Sequence, residues 1–387
     1  MKKILIVNNN MKVGGVQKAL YNLLWEIEGK YDITLCLFKK TGAYVNSLPP
    51  SVKVVEVAGP YAYLGVSQNE CSGINSLIRG AYAFSARLIG REKTLSLMKR
   101  HQPELDSRYD CAISFLHNGR EKSFYGGVQD FVLNCVSADK KVAFLHCDYR
   151  NCGSNNPENN RNINRFDAIA ACSDGCRSAF LSVLPELGEK CITVRNAHRF
   201  DEIRSLSEDD SVVYDNTYVN LLIVARLSHE KGVDRAIEAV SESVKAGAKI
   251  KLHIVGNGAV RKDLDDLVAG LELSENVCFY GEQKNPYRFM KNADVLVISS
   301  YHEAAPMVID EAVSLGLPIL TVKTTSSHGM VETAGCGWVC ENSQQALNSA
   351  LLELVSDKKK MFDLKQFLSN RTADNELALK QFDDLIK

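Results

Sequence analysis

Two glutamates, Glu303 and Glu311, stand on either side of a proline in the stretch NADVLVISSYHEAAPMVIDEAVSLGLP, residues 292–318, with seven residues between them. Asp294 to Ser299 is a short, β-rich apolar run, the pattern of a strand buried on both faces of a parallel sheet. His302 to Ala305 breaks it. Pro306 suits the first position of a helix, where no N–H is needed, and Met307 to Leu315 keeps helical spacing as far as Gly316. The amides of Met307 and Val308 would then point out of the carboxyl edge of the sheet, where anions bind. A phosphate site between two carboxylates, each able to accept a pair of sugar hydroxyls, is a site for a nucleotide sugar. The plainer reading of Glu311 is a solvated helix face.

A second constellation is VARLSHEKG, residues 224–232. Arg226 would leave the carboxyl end of a strand and Lys231 would enter the next helix start, so both can reach one crevice. Arg grips phosphate oxygens with two parallel bonds and Lys acts as a mobile point charge. Each charge-assisted hydrogen bond contributes about 1.5–3 kcal/mol, more where charge develops on a leaving diphosphate. An exposed surface pair is the alternative. Asp263-Leu264-Asp265 has the acidic spacing of a metal-binding motif, but it sits inside an amphipathic helix with Leu264, Leu267 and Val268 on the buried face, which predicts a solvated surface and chemistry without a metal or cofactor.

The frame E-A-A-P-M-V-I-D-E-A, with Gly316 and Pro318 behind it, resembles the signature of the family 4 glycosyltransferases, which have the GT-B fold. Ala304 and Ala305 stand where that family usually has glycine and an aromatic residue. The Arg226-to-Lys231-Gly232 spacing is similar to the family's diphosphate clamp. Gly14 and Gly15, in GGVQKAL, resemble its Gly-Gly-x-Glu loop, with Gln17 in place of the glutamate; a plain strand-to-helix turn is the alternative. The dinucleotide fingerprint G-x-G-x-x-G is absent there. His146, ending VAFLH, matches by position a histidine that many members hold beside the donor sugar; His117, ending CAISFLH, matches less well, and either can be a structural histidine. Asn196, in V-R-N, resembles the family's strand-end asparagine. The resemblance implies retention of anomeric configuration, with the leaving phosphate assisting deprotonation of the acceptor. It also implies, in many bacterial members, a polyprenyl-diphosphate-linked acceptor at the cytoplasmic leaflet. A GT-B nucleotide-sugar epimerase, a non-catalytic nucleotide-sugar-binding protein and a hydrolase using the glutamate pair as acid and base are the rival readings.

Alternating strands and helices must position these residues. Lys3 to Val7, Asp32 to Phe38, Val52 to Val57, Cys111 to His117, Val142 to His146, Asp167 to Ser173 and Cys191 to Arg195 predict seven strands of one doubly wound domain over residues 1–200. Residues 201–217, acidic and poor in apolar side chains, read as a connection. Val219 to Leu227, Ile250 to Val255, Asn276 to Gly281, Asp294 to Ser299, Pro318 to Val322 and Trp338 to Cys340 predict a second Rossmann-like domain over 218–370, facing the first across a cleft, with a terminal helix in 371–387 that the family resemblance returns to the first domain. Ile74 to Arg100 is a long helical stretch with Ile74, Leu77, Ile78, Ala81, Leu88 and Leu95 on one face and Arg79, Arg87, Arg91 and Lys93 on the other. Such a helix either lies on anionic lipid or packs into the core with a solvated basic back.

The 387 residues exceed one ordinary core, and 45% hydrophobic with 24% charged residues is a globular composition. A net charge of −1 without a dominant basic stripe argues against nucleic acid as a partner. Asn8 to Asn10 end the first apolar run too soon for a signal peptide, and no run reaches the roughly 18 residues of a membrane span. Twelve cysteines without a secretory signal point to reduced thiols in a cytoplasm, with membrane contact peripheral. Cys172 and Cys176, or Cys336 and Cys340, lack a histidine cluster, so the cysteines read as small packing residues and no zinc site is expected.

Overall fold

The computed structural model describes residues 1–387 except 104, 106, 121 and 122. The chain forms two compact units, Met1–His198 with Asn375–Lys387, and Arg199–Asp374. In the first, β1 (Lys3–Asn8), β2 (Asp32–Leu37), β3 (Lys53–Glu56), β4 (Tyr109–Ser114), β5 (Ala138–Leu145), β6 (Ala168–Ala171) and β7 (Cys191–Thr193) build one sheet in the order β3-β2-β1-β4-β5-β6-β7, every pair parallel. In the second, β8 (Val219–Val224), β9 (Ile250–Val255), β10 (Val277–Gly281), β11 (Val295–Ile298), β12 (Ile319–Val322) and β13 (Gly337–Cys340) repeat the pattern as β10-β9-β8-β11-β12-β13. All thirteen expected strands are present. Each sheet reverses its winding once, between β1 and β4 and between β8 and β11, and such a reversal opens a crevice at the strands' carboxyl ends.

Burial on both faces explains why the strands read as apolar runs. Along β8, Val219, Leu221 and Ile223 enter one core with the helices Val233–Lys245, Arg261–Gly270 and Gln344–Ser356. Leu222 points the other way, into a core with Phe200, Ile203, Ile309 and Ala312. Fully burying one such side chain contributes about 1.5–3 kcal/mol, and the one polar residue of β8, buried Asn220, is hydrogen-bonded to the Asp215 carbonyl and to His253. Phe200–Glu208, which runs from the last residue of the expected first domain into the stretch expected to be a plain connection, is a helix, and Phe200 and Ile203 are its contribution to that core.

The terminal helix, Glu376–Ile386, belongs to the first unit. Phe382 meets Tyr31 edge-on at 6.3 Å, Tyr31 donates to Asp383 at 2.7 Å, and Asn375 brackets the backbone of His198 as donor and acceptor.

The 74–100 stretch departs from expectation twice. It is two helices, Gly73–Ile89 and Arg91–Lys99, parted at Gly90, whose φ of 91° breaks the spiral. Its faces are also reversed in part from the core-packed reading: Leu95 is buried and Arg87 and Lys93 are exposed as expected, but other residues turn the other way. Arg79 and Arg91 are buried, Arg79 donating to the Val66 carbonyl and Arg91 pairing with Asp130 and Glu158. Ile74, Leu77, Phe84 and Leu88 stand 66–75% exposed. Specific carboxylate and carbonyl acceptors under the helix outweigh the apolar face in choosing which side turns inward.

Candidate functional site

In the second unit the β8 and β11 ends bring two of the predicted groups, Lys231 and Glu303, together. Lys231 donates to Glu303 at 2.6 Å, and Glu303 also accepts from the Ser300 hydroxyl at 2.8 Å. This ion pair is shielded, with the two side chains 25% and 11% exposed. Two backbone details fix the Lys231 turn. Gly232 has a φ of 57°, and a Cβ there would lie 2.4 Å from the Ser299 carbonyl oxygen, so only glycine lets the turn seat against the β11 exit. The Tyr301 amide donates to the Glu230 carbonyl at 2.9 Å, tying the two loops. Buried Arg235 reinforces the join by donating to the Ser299 carbonyl and the Asn342 side chain.

Arg226 is 70% exposed and pairs with Glu230 at 2.6 Å, so it rims this crevice as a surface pair. Beyond β9, Gly258 packs against the residue after Arg226: a Cβ there would lie 2.1 Å from the Leu227 carbonyl oxygen, and the Leu227 amide donates to the Asn257 carbonyl. The helix Met307–Ser314 starts one residue later than expected. Pro306 keeps an extended ψ of 118° and serves as its cap, its carbonyl accepting from Ile309. The amides of Met307 and Val308 stand in the first turn, where a helix supplies no acceptor. Glu311 is buried, at 4% exposure, with the Tyr287 hydroxyl donating to it at 3.5 Å, so it is no solvated helix face. Asp263 and Asp265 lie on the exposed side of their helix, and Arg261 donates to Asp265 at 3.0 Å.

In the first unit, Gly14 caps the helix Gly15–Glu26 at the end of the β1 loop. Gly15 has open space around its Cβ position, while a Cβ on Gly14 would meet the Gln17 side chain. Asn196 lines a small recess with Ala19, Leu23, Phe115 and Phe144. His146 follows β5 directly and packs on Phe115 and Phe144 at 4.8 and 5.7 Å. Burial, then the neighbouring His117, pushes the His146 imidazole down to about 3, and burial pushes His117 to about 4. Sequence reasoning missed one gathering. His117, Cys147 and Cys152 place one donor atom each within 4.8 Å of the others, with the two sulfurs 3.0 Å apart. The reading of all twelve cysteines as packing residues did not anticipate that Cys147 and Cys152 meet beside a histidine. The CxxxxC spacing and a strand-end histidine were the only signals, and their meeting depends on β4 lying beside β5.

Residues 208–370 match the family described as Glycosyl transferases group 1. The matched stretch lies within the second unit. Over 131 residues, 33% of this chain and 34% of the relative, the chain is 36% identical to the lipopolysaccharide glucosyltransferase WaaG of Escherichia coli. Over 139 residues, 35% of this chain and 34% of the relative, it is 31% identical to a glycosyltransferase of Methanocaldococcus jannaschii. The matches span about a third of the length of these curated relatives. The structure of Anabaena HepE in complex with UDP superposes with a TM-score of 0.68 at 16% identity, covering 100% of this chain and 99% of that one. The fold is thus GT-B, two Rossmann-like parallel-sheet domains.

Proposed function

We propose that this protein is a glycosyltransferase that moves a hexose-type sugar from a nucleotide sugar, a UDP-sugar, to a saccharide or polyprenyl-diphosphate-linked acceptor in surface polysaccharide synthesis. One observation carries the reading: within the stretch that matches the group 1 family, Lys231 pairs with Glu303 at the winding reversal of the sheet, and the helix that holds Glu311 starts four residues beyond Glu303. The names of the relatives, a lipopolysaccharide glucosyltransferase and an amylovoran biosynthesis glycosyltransferase, support the acceptor class.

The bond from the anomeric carbon to the diphosphate oxygen breaks through an oxocarbenium-like state. Lys231 and Arg226 stabilise the departing diphosphate, exchanging Glu303 and Glu230 for phosphate oxygens, and the Met307 and Val308 amides add two fixed dipoles. Glu311 accepts from the ribose hydroxyls and Glu303, released from Lys231, orients the sugar. The acceptor oxygen attacks the same face, its proton passing to the leaving phosphate, so configuration is retained. Gly14, Gly15 and Asn196 complete donor contacts, and His146 contacts the sugar or the acceptor hydroxyl. Cations and amides take the part that a metal plays elsewhere, so turnover needs none. The hydrolase reading loses ground because Glu303 is paired with a lysine and Glu311 is buried beside Tyr287.

Among the described residues no helix is long and apolar enough to cross a membrane. The exposed stripe of Ile74, Leu77, Phe84 and Leu88, with Arg87 beside it and Lys93, Lys99 and Arg100 beyond, has the make-up of an interfacial helix seated on anionic lipid. The test of the whole reading is a panel of UDP- and GDP-sugars in EDTA with lipid-diphosphate acceptors, read by mass spectrometry. Extension of an acceptor by one sugar supports it. An altered sugar nucleotide from donor alone would mark an epimerase, and binding without product a sensor.

A further inference from the structure

The first unit gathers three soft donors away from the stretch that matches the group 1 family. His117 lies three residues beyond β4, Cys147 two beyond β5, and Cys152 in the loop that follows, before the helix Pro157–Asn164. β4 and β5 are paired neighbours in register from Tyr109↔Ala138 to Ser114↔Ala143, so two of the three donors leave a rigid edge. The third is held by its own loop, in which the Ser154 hydroxyl donates to the Asn118 carbonyl at 2.6 Å, and by the helix that follows, from which Asn159 donates to the Gly119 carbonyl at 2.9 Å.

We propose that His117, Cys147 and Cys152 form a three-ligand site for a thiophilic divalent ion of the zinc type. Tetrahedral zinc, with bonds of about 2.3 Å to sulfur and about 2.0–2.1 Å to nitrogen, sets its ligand atoms roughly 3.4–3.8 Å apart. The donor atoms here all lie within 4.8 Å of one another and the sulfurs 3.0 Å apart, so side-chain shifts on the order of an ångström close the site. Nδ1 of His117 is buried without a hydrogen-bond partner, an arrangement that costs about 1–3 kcal/mol unless something satisfies the ring. A disulfide between the sulfurs would leave the imidazole as it stands. A metal ion engages all three groups, releasing the thiol protons to solvent as the thiolates bind. The fourth position stays open to water or a ligand. Cys172 and Cys176, with sulfurs 3.8 Å apart after β6, form a separate pair outside the cluster. The site clips the loop after β4 to the loop after β5, next to His146, and it stands whether or not the donor reading does.

The test uses the full chain, purified reduced, stripped with a chelator and titrated with Co²⁺ as a spectroscopic probe, then with Zn²⁺ against a chromophoric chelator. One equivalent per chain, with sulfur-to-cobalt charge-transfer bands that Zn²⁺ displaces, is expected. Cys147→Ser and Cys152→Ser should each weaken uptake at least about a hundredfold, beyond what loss of an outer partner costs, and His117→Asn at least about tenfold. Cys172→Ser should leave it unchanged. Cys152 lies in a loop, so its variant keeps the test open if Cys147→Ser does not fold. Absence of thiolate bands, equal loss in Cys172→Ser, or a Cys147–Cys152 disulfide formed by peroxide in a chain that takes up no metal would overturn the proposal.

Discussion

Replacing Lys231 by alanine removes the ammonium group 2.6 Å from Glu303 in a pair whose side chains are only 25% and 11% exposed. If Lys231 also faces the developing charge of the leaving diphosphate, the variant loses one charge-assisted hydrogen bond in the transition state, about 1.5–3 kcal/mol. With each 1.36 kcal/mol worth tenfold, kcat/KM should fall about 10- to 150-fold. The carboxylate left behind keeps the Ser300 hydroxyl but loses its cation, a stability penalty of about 1–3 kcal/mol. For a unit of this size that lowers Tm by roughly 2–4 °C per kcal/mol. Glu303→Gln separates the two effects, since it keeps an acceptor for Lys231 and removes the carboxylate proposed to orient the sugar. Initial rates of nucleoside diphosphate release, with melting curves on the same samples, give both numbers. Lys231→Ala turning over within threefold of wild type would refute the clamp, whatever its Tm.

Gly232→Ala, which forces a side chain at φ 57° and brings Cβ within 2.4 Å of the Ser299 oxygen, should weaken UDP binding at least about tenfold in calorimetry; unchanged affinity would show that the turn does not position Lys231. His253 is buried, its Nε2 donating to Asn220 Oδ1 and its Nδ1 accepting from Tyr280, and burial, then Lys251, holds it down at about 4. An unfolded histidine near 6.5 binds its proton first, so the second unit should lose stability as pH falls from about 6.5 towards 4, about 1.4 kcal/mol per pH unit at most. Denaturant midpoints across that range should slope less in His253→Gln, and an equal slope would assign the effect to other groups. Leu77→Asp with Phe84→Asp should abolish sedimentation with anionic vesicles while leaving Tm within about 2 °C, because both side chains already face solvent. Co-sedimentation equal to wild type would remove the interfacial role.

The strands were legible because a parallel sheet covered on both faces leaves its mark as an apolar run, as in ILIV of β1 and LLIV of β8. Their spatial order was not, since nothing local in β4 says that it pairs with β1. Glu303 and Lys231 could each be singled out by type and spacing. Their pairing across 72 positions could not, because it depends on β8 lying beside β11. The 74–100 stretch shows where periodicity misleads: it marks two faces without saying which turns inward, and Asp130 and Glu158, far along the chain, decided that for Arg91. The same holds for His117 and the Cys147–Cys152 pair, which meet only through sheet pairing.

Isothermal titration of UDP in EDTA into wild type, Lys231→Ala and Glu311→Gln tests the donor site most directly. The account predicts one saturable site per chain in wild type, weakened at least about tenfold by either substitution. Equal affinity in all three proteins, or no binding of UDP or GDP to wild type, would contradict it.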